Sequence, residues 1–301
     1  MKYINILLSS AKSINIKNNQ LRIVNKEDQE FNYPIEDINS IVLENHYLNL
    51  SSYTLAQFAK HNIACFVCDE KHTPSGVFIP FNTHFEKPEV LRLQLDLSKP
   101  IQKRLWQSLV KQKILNQGSC LEMLENTGAK EISLLANDVQ SGDATNIEAI
   151  AARKYFLHLF GADFTRVQDS FVNAALNYCY SIVRGCITRT LAAYGFEPAL
   201  GLGHSNMLNA FNLADDLIEP FRAICDLHVV GLEKGEGEEL KPHHKQHLIK
   251  ILQMSCKVDG QKVSISYAID KLVESLKRSM KNEEVNLAQI ELIKLEVQKY
   301  E

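Results

Sequence analysis

This sequence predicts an α+β chain: a small N-terminal β-rich, β-sandwich-like domain followed by a larger all-α C-terminal domain. Three observations carry that expectation. β-Branched and apolar runs crowd into roughly the first seventy residues, the pattern of short strands. Pro74, Pro80 and Pro88 with Gly76 then interrupt it. From Leu91 onward apolar residues recur at helical spacing almost without a break. The boundaries fall at 1–73 for the β-rich domain, 74–90 for a connector and 91–301 for the helical domain.

The elements follow in order. Strands are expected at 3–8, 13–16, 21–24, 38–43 and 63–68, with Asn18-Asn19 as a turn between the second and third. One helix interrupts them, running from Ser51, an N-cap residue type, to His61, with Leu55, Phe58 and Ala59 on one face. In the second part, helices are expected near 91–117, 119–137, 145–160, 167–195, 208–230, 242–257, 264–281 and 286–299. The Gly- and Glu-rich stretch 231–239 cannot continue a helix and is expected to be a mobile loop.

Composition bounds the function. A chain of 301 residues with 45% hydrophobic content can bury a sizeable core. No run approaches the ~18 apolar residues of a membrane span, and the opening Met1-Lys2-Tyr3-Ile4-Asn5-Ile6-Leu7-Leu8 suits a strand better than a signal peptide. Seven cysteines, an odd number in mostly apolar surroundings, suit buried thiols in a reducing cytoplasm. A net charge of −3 gives no global attraction to nucleic acid, so any such contact must come from local basic faces.

Three segments carry residues capable of chemistry. In Phe211-Asn212-Leu213-Ala214-Asp215-Asp216-Leu217-Ile218-Glu219-Pro220-Phe221-Arg222, Asp216 and Glu219 stand one helical turn apart, a spacing that lets two carboxylates approach one cation. Pro220 removes a backbone donor, so a kink that re-aims Glu219 is expected. Upstream, Gly201-Leu202-Gly203-His204-Ser205-Asn206 is a glycine-flanked turn presenting His204. Further back, Glu148 sits in the first turn of the Ala-rich segment Asn146-Ile147-Glu148-Ala149-Ile150-Ala151-Ala152-Arg153-Lys154-Tyr155-Phe156, where the helix dipole favours a glutamate anyway. Taken singly, each has a bland explanation in solvated charges or an incidental loop histidine. Together, two carboxylates and an imidazole make a donor set for Mg2+ or Mn2+ with open water positions, and so for phosphate chemistry.

The order of these segments resembles the CRISPR-associated spacer-acquisition integrases, in particular those from systems with a single large effector nuclease. The stretch from Asn209 to Arg222 is the most specific part, preceded by the glycine and histidine turn and by the Glu148 helix ending in Tyr155-Phe156. The resemblance implies an N-terminal β-domain, a connector and a C-terminal helical catalytic domain. Residue by residue it implies metal ligands at Glu148, His204 and Glu219, with Asp216 at an acidic position one turn before the last. Two departures are visible: members often carry two adjacent histidines where this chain has Gly203-His204, and often a proline where it has Ala210.

The resemblance further implies a metal-dependent endonuclease and integrase in which the 3′-hydroxyl of a captured DNA fragment attacks a phosphodiester at the edge of a CRISPR repeat. It implies a homodimer joined through the β-domain, and two dimers flanking a dimer of a small ferredoxin-like CRISPR-associated adaptation protein. The large effector nuclease is a further candidate partner. Arg153, Lys154, Arg166, Arg184, Arg189 and Arg222 are candidate DNA contacts, with Arg222 equally suited to pairing with Asp215 or Asp216. Two other readings stand beside it: a structure-specific endonuclease for branched DNA without an integration role, which uses the same residues, and a catalytically silent DNA-binding scaffold, whose sequence sign would be loss of one of the three. Cys65-Phe66-Val67-Cys68 lacks a second pair for zinc, His243, His244 and His247 suit a solvated helix start, and Trp106 suits core packing.

Overall fold

The computed structural model describes residues 4–70, 72–78, 86–232 and 239–297. Strand β1 (Ile4–Leu8) is followed by an antiparallel meander of β2 (Ala11–Lys17), β3 (Gln20–Asn25) and β4 (Glu30–Pro34). Asn18 and Asn19 both take positive φ, 51° and 58°, between the paired Lys17 and Gln20. That is the two-residue turn whose twist matches flanking strands, and asparagine tolerates it.

β5 (Ile38–Leu43) returns parallel to β1. Helix α1 (Ser52–Lys60) crosses to β6 (Ala64–Cys68), parallel to β5, and β7 (Pro74–Phe78) pairs antiparallel with β6. The Ser51 hydroxyl accepts from the Thr54 N–H at 3.1 Å, the expected cap of α1. Strands β4 and β7 were not legible in the sequence. β4 buries none of its side chains, so it shows no alternation. β7 starts on Pro74 and contains Gly76, breakers that an edge strand accommodates, and it occupies part of the expected connector. Residues 79–85 and the heart of the expected 231–239 loop lie outside the described residues.

The central strands bury both faces, which explains their nearly continuous apolar runs. Ile41, Leu43 and Cys65 join Ile14, Leu21, Ile23 and Phe58 in the core of the β-rich part. Val42, Ala64 and Phe66 point the other way into the helical core. There Gly185 meets Phe66, so closely that a Cβ would lie 1.9 Å from the ring, which sets the long helix directly on the sheet.

The helical part comprises α2 (Lys87–Leu95), α3 (Lys99–Met123), α4 (Ala129–Leu135), α5 (Ile147–Phe160), α6 (Phe171–Ala193), α7 (Asn212–Leu217), α8 (Arg222–Val230) and α9 (Pro242–Ile249). It closes with β8 (Ser255–Val258), β9 (Gln261–Ser264), α10 (Ile265–Asn282) and β10 (Ile290–Glu291). The chain is thus strand-rich and then helical, as its sequence predicts, with three local corrections. The break expected at Gly118 lies instead at residues 96–98, ahead of Pro100. Gly118 is inside α3 because a Cβ there would strike the Ser133 hydroxyl of α4 at 1.9 Å. Residues 255–264 form a hairpin on Asp259-Gly260, both at positive φ, and not the end of a helix. The helix expected over 286–299 is absent from its described part: this segment runs extended across α3, where Gln112 accepts from the Ile290 N–H and Asn116 accepts from the Leu292 N–H, both at 2.9 Å. Among the described residues, no helix is long and apolar enough to cross a membrane.

Candidate active site

Helix α3 is the spine on which the site is assembled. Its buried face carries Trp106, Lys113 and Asn116 among leucines and isoleucines. Helix α5 brings Glu148 to it. Asp143 fixes the start of α5, its two carboxylate oxygens accepting from the N–H groups of Ile147 (2.9 Å) and Glu148 (3.0 Å), which satisfies donors left open at a helix N-terminus. The Glu148 side chain remains 23% exposed.

Residues 201–222 supply the rest. Asp216, fully buried, accepts from the backbone N–H groups of Leu202, Gly203 (3.2 Å) and His204 (2.9 Å), and from His204 Nδ1 at 2.7 Å. Both its oxygens are thereby committed to the turn. The expectation that Asp216 and Glu219 approach one cation gives way to a division of labour: Asp216 holds the turn and the ring, and Glu219 faces α3 and α5. Gly201 has no room for a Cβ, which would lie 2.3 Å from the His204 carbonyl. Beyond His204, the Asn212 amide reaches the carbonyls of Ala199, Asn206 and Asn209 at 2.9–3.1 Å and pins the loop to the head of α7. The kink expected at Pro220 is present: α7 ends at Leu217, a 3₁₀ turn covers Glu219–Phe221, and α8 begins at Arg222. The Pro220 carbonyl is taken by Asn116 at 2.8 Å.

Glu148 and Glu219, from distant parts of the chain, converge on one group. Lys113 Nζ lies 2.6 Å from Glu148 Oε1 and 2.5 Å from Glu219 Oε2, its side chain only 7% exposed. Arg222 Nε donates to the other Glu219 oxygen at 2.7 Å. Burial alone would raise the Glu219 pKa, but Arg222 and Lys113 outweigh it and hold the carboxyl at about 2. Burial likewise opposes the charge on Lys113, and the two glutamates reverse this and raise its pKa. The hydrogen bond to Asp216 raises the pKa of His204. Arg222 lies over the Tyr180 ring at 4.9 Å, and the Tyr180 hydroxyl donates to Asp226, a carboxyl that burial pushes up to about 6.

This donor set fits a hard divalent cation. Two carboxylates already share one positive group, and Glu219 Oε2 is buried with an ion pair but no aligned hydrogen bond. Because a carboxylate can only accept, His204 Nδ1 donates to Asp216, and Nε2 is the nitrogen left for a ligand. Among the described residues, however, no three His, Cys, Asp or Glu side chains stand ready-made around a single point. The place where Glu148 and Glu219 meet is held by Lys113.

The candidate DNA contacts divide. Arg153 is exposed beside the groove formed by α5 and residues 161–166. Lys154 pairs with Glu131, and Arg166 is spent on Asn173 and Asn177, at 2.5 and 2.7 Å. Arg184, not Arg222, pairs with Asp215, at 2.7 Å, and Arg222 takes Glu219 instead. Arg189 is corrected outright: it is 6% exposed, donates to the Asn62 carbonyl at 3.0 Å, and is too deep to meet a phosphate. The thiol of Cys65 is buried and that of Cys68 partly so, each pushed up to about 12 by burial, which makes neither a ready thiolate. His244 Nδ1 accepts from the Lys241 N–H and His247 stacks on His228, so both imidazoles serve packing and capping.

Sequence reasoning missed Lys113 and undervalued Trp106. Trp106 is a core residue as expected, and it also meets His204 edge-on with ring centroids 5.5 Å apart. Gly203 lies against it so tightly that a Cβ would fall 2.4 Å from the indole. Gly203 is therefore matched to the tryptophan. The available signal for Lys113 was its position four residues after the buried Leu109, a charge on an apolar face.

Comparison with known proteins follows the same lines. Residues 6–245 match the family described as CRISPR associated protein Cas1. A curated relative, the CRISPR-associated endonuclease Cas1 of Neisseria meningitidis serogroup C (strain 8013), is 39% identical over 305 residues, covering 100% of both chains. Among solved structures, a casposase bound to integration product superposes with a TM-score of 0.78 at 20% identity, covering 95% of this chain and 92% of that one. A chain of a Cas6-RT-Cas1–Cas2 complex gives 0.71 at 16% identity, covering 97% of this chain and 36% of that one.

Proposed function

Because the chain belongs to the Cas1 family of CRISPR-associated proteins, we propose that it is a DNA integrase and endonuclease that inserts captured foreign DNA fragments into a CRISPR repeat array. The observation that carries this proposal is the convergence of Glu148 and Glu219 on one point, with Asp216 setting which nitrogen of His204 is left free. The likeness to the Neisseria endonuclease supports the nuclease half, and the fold shared with a casposase bound to integration product supports the integrase half.

Mg2+ or Mn2+ held by Glu148, His204 and Glu219 would supply Lewis-acid stabilisation of the in-line phosphoryl transition state. The protein's own part is positional. Glu148 and Glu219 offer oxygens on charge-compensated carboxylates, and Asp216 fixes the His204 tautomer. Arg222 holds one Glu219 oxygen so that the other faces the centre. Exposed Arg153 lies on the same helix as Glu148 and is the best placed of the candidate cations to meet a DNA phosphate. Transesterification needs a 3′-hydroxyl in place of water, so integration and cleavage use one set of residues. We extend the proposal to a homodimer working with a small ferredoxin-like CRISPR-associated partner, which the likeness to a chain from a Cas1–Cas2 assembly supports.

The test is strand transfer of a 3′-hydroxyl DNA fragment into a supercoiled plasmid bearing a CRISPR repeat, with Mn2+, Mg2+ or chelator. Glu148→Gln, His204→Ala and Glu219→Gln are each expected to lose both cleavage and strand transfer, as is the chelated protein. Retention of both in any one variant removes that residue from the centre. Cleavage of branched DNA without strand transfer would return a nuclease with no integration role.

A further inference from the structure

We propose that Lys113 is the resident cation of this centre: its ammonium holds Glu148 and Glu219 together at the position a divalent ion would take, and it has to leave for an ion to enter. The inference rests on the metal-centre reading above and assigns the lysine a role within it. Lys113 comes from α3, a different element from either glutamate, and its Nζ makes ion pairs of 2.6 and 2.5 Å with them. Glu219 is 2% exposed. Two carboxylates brought this close in a buried site repel each other and would take up a proton unless a positive group stood between them. Lys113 is that group, so the acidic pair is preorganised without an ion.

The charges define the consequence. Glu148 and Glu219 are balanced by Lys113 and Arg222, and the buried centre is neutral as it stands. A divalent ion added between the glutamates would face an ammonium at contact distance. Either Nζ withdraws on its flexible four-carbon stem or the ion does not bind. Arg222 differs, because its Nε is directed at the Glu219 oxygen away from Lys113, so it can remain. Lys113 therefore competes with the ion for both carboxylates and lowers the resting affinity of the centre. A released ammonium would lie beside the ion, where the phosphate of a bound DNA strand adds the negative charge that favours this arrangement.

The experiment is direct titration of the full-length protein with Mn2+ alone, followed by electron paramagnetic resonance, with thermal unfolding run in parallel. Lys113→Met, of similar length and uncharged, is expected to bind Mn2+ about tenfold more tightly than the unaltered protein, a difference of about 1.4 kcal/mol. Lys113→Arg keeps the charge and grips carboxylates through two N–H groups, and is expected to bind about tenfold more weakly. A merely structural lysine would not move the two variants in opposite directions. If Lys113→Met folds and binds Mn2+ no more tightly, the proposal is overturned. If it does not fold, Lys113→Arg binding as tightly as the unaltered protein overturns it equally. Glu219→Gln separates the two levels: unchanged Mn2+ binding in that variant refutes the metal centre itself.

Discussion

Replacing Asp216 by asparagine changes one atom and should dismantle the turn that carries His204. The carboxylate accepts four hydrogen bonds, two on each oxygen: Leu202 and Gly203 N–H on Oδ2, and His204 N–H and Nδ1–H on Oδ1. An asparagine can offer an oxygen to only one of these pairs and must turn an NH2 group toward the other two donors. Bonds to a charged acceptor are worth ~1.5–3 kcal/mol each, so two lost bonds at this fully buried carboxylate amount to about 3–6 kcal/mol. With a urea dependence of about 3 kcal/mol per molar, the unfolding midpoint falls by about 1–2 M. When the amide NH2 faces His204, Nδ1 becomes the acceptor, Nε2 carries the proton, and the nitrogen offered to a cation is lost. Urea unfolding followed by circular dichroism measures the first effect, and Mn2+ titration with long-range nitrogen NMR of the imidazole measures the second. An unchanged midpoint together with an unchanged His204 tautomer would show that Asp216 does not support this turn.

Two other predictions concern the frame around the site. His228 is buried on α8, with Nε2 donating to the His247 carbonyl at 3.0 Å, and burial lowers its pKa to about 4. A lowered histidine pKa means the unfolded chain takes up the proton first, so stability is full above pH ~6.5 and is lost as pH falls toward 4. At 1.36 kcal/mol per unit, the span from 6.5 to about 4 gives about 3 kcal/mol. His228→Gln keeps a donor without the titration, and its denaturant midpoint should be flatter over that window; an identical slope in both proteins refutes the assignment. Gly203→Ala should cost about 1–3 kcal/mol, because the new Cβ would lie 2.4 Å from Trp106. Combining it with Trp106→Leu should recover part of that loss in a double-mutant cycle, and strict additivity would mean that the glycine and the tryptophan are not matched.

Much of the fold and site was legible because the signals were local. The Ser51 cap, the Asn18-Asn19 turn and the Pro220 kink each depend on a few adjacent residues, and each is present. Glu148, His204 and Glu219 stood out through their neighbours, and the two glutamates do converge. The misses were contacts between segments far apart in the chain. β4 takes its register from β3 and buries nothing of its own, so no alternation marked it. Residues 286–297 have a helix-like pattern, yet Gln112 and Asn116 of α3 take their backbone groups and hold them extended. Arg189 looked like a surface cation until α6 packed against the sheet and enclosed it.

The sequence by itself determined the division into strand-rich and helical parts and singled out Glu148, His204 and Glu219 as candidates, because periodicity and side-chain chemistry are properties of short stretches. Only the tertiary structure decided how the charges pair. Asp216 turned to the backbone of the histidine turn, Arg222 took Glu219, Arg184 took Asp215, and Lys113 moved between two glutamates. Each charge had several possible partners within the sequence. Burial made an unpaired charge too costly to leave, and the packing of α3 against α5 and α7 determined which partner lay within reach.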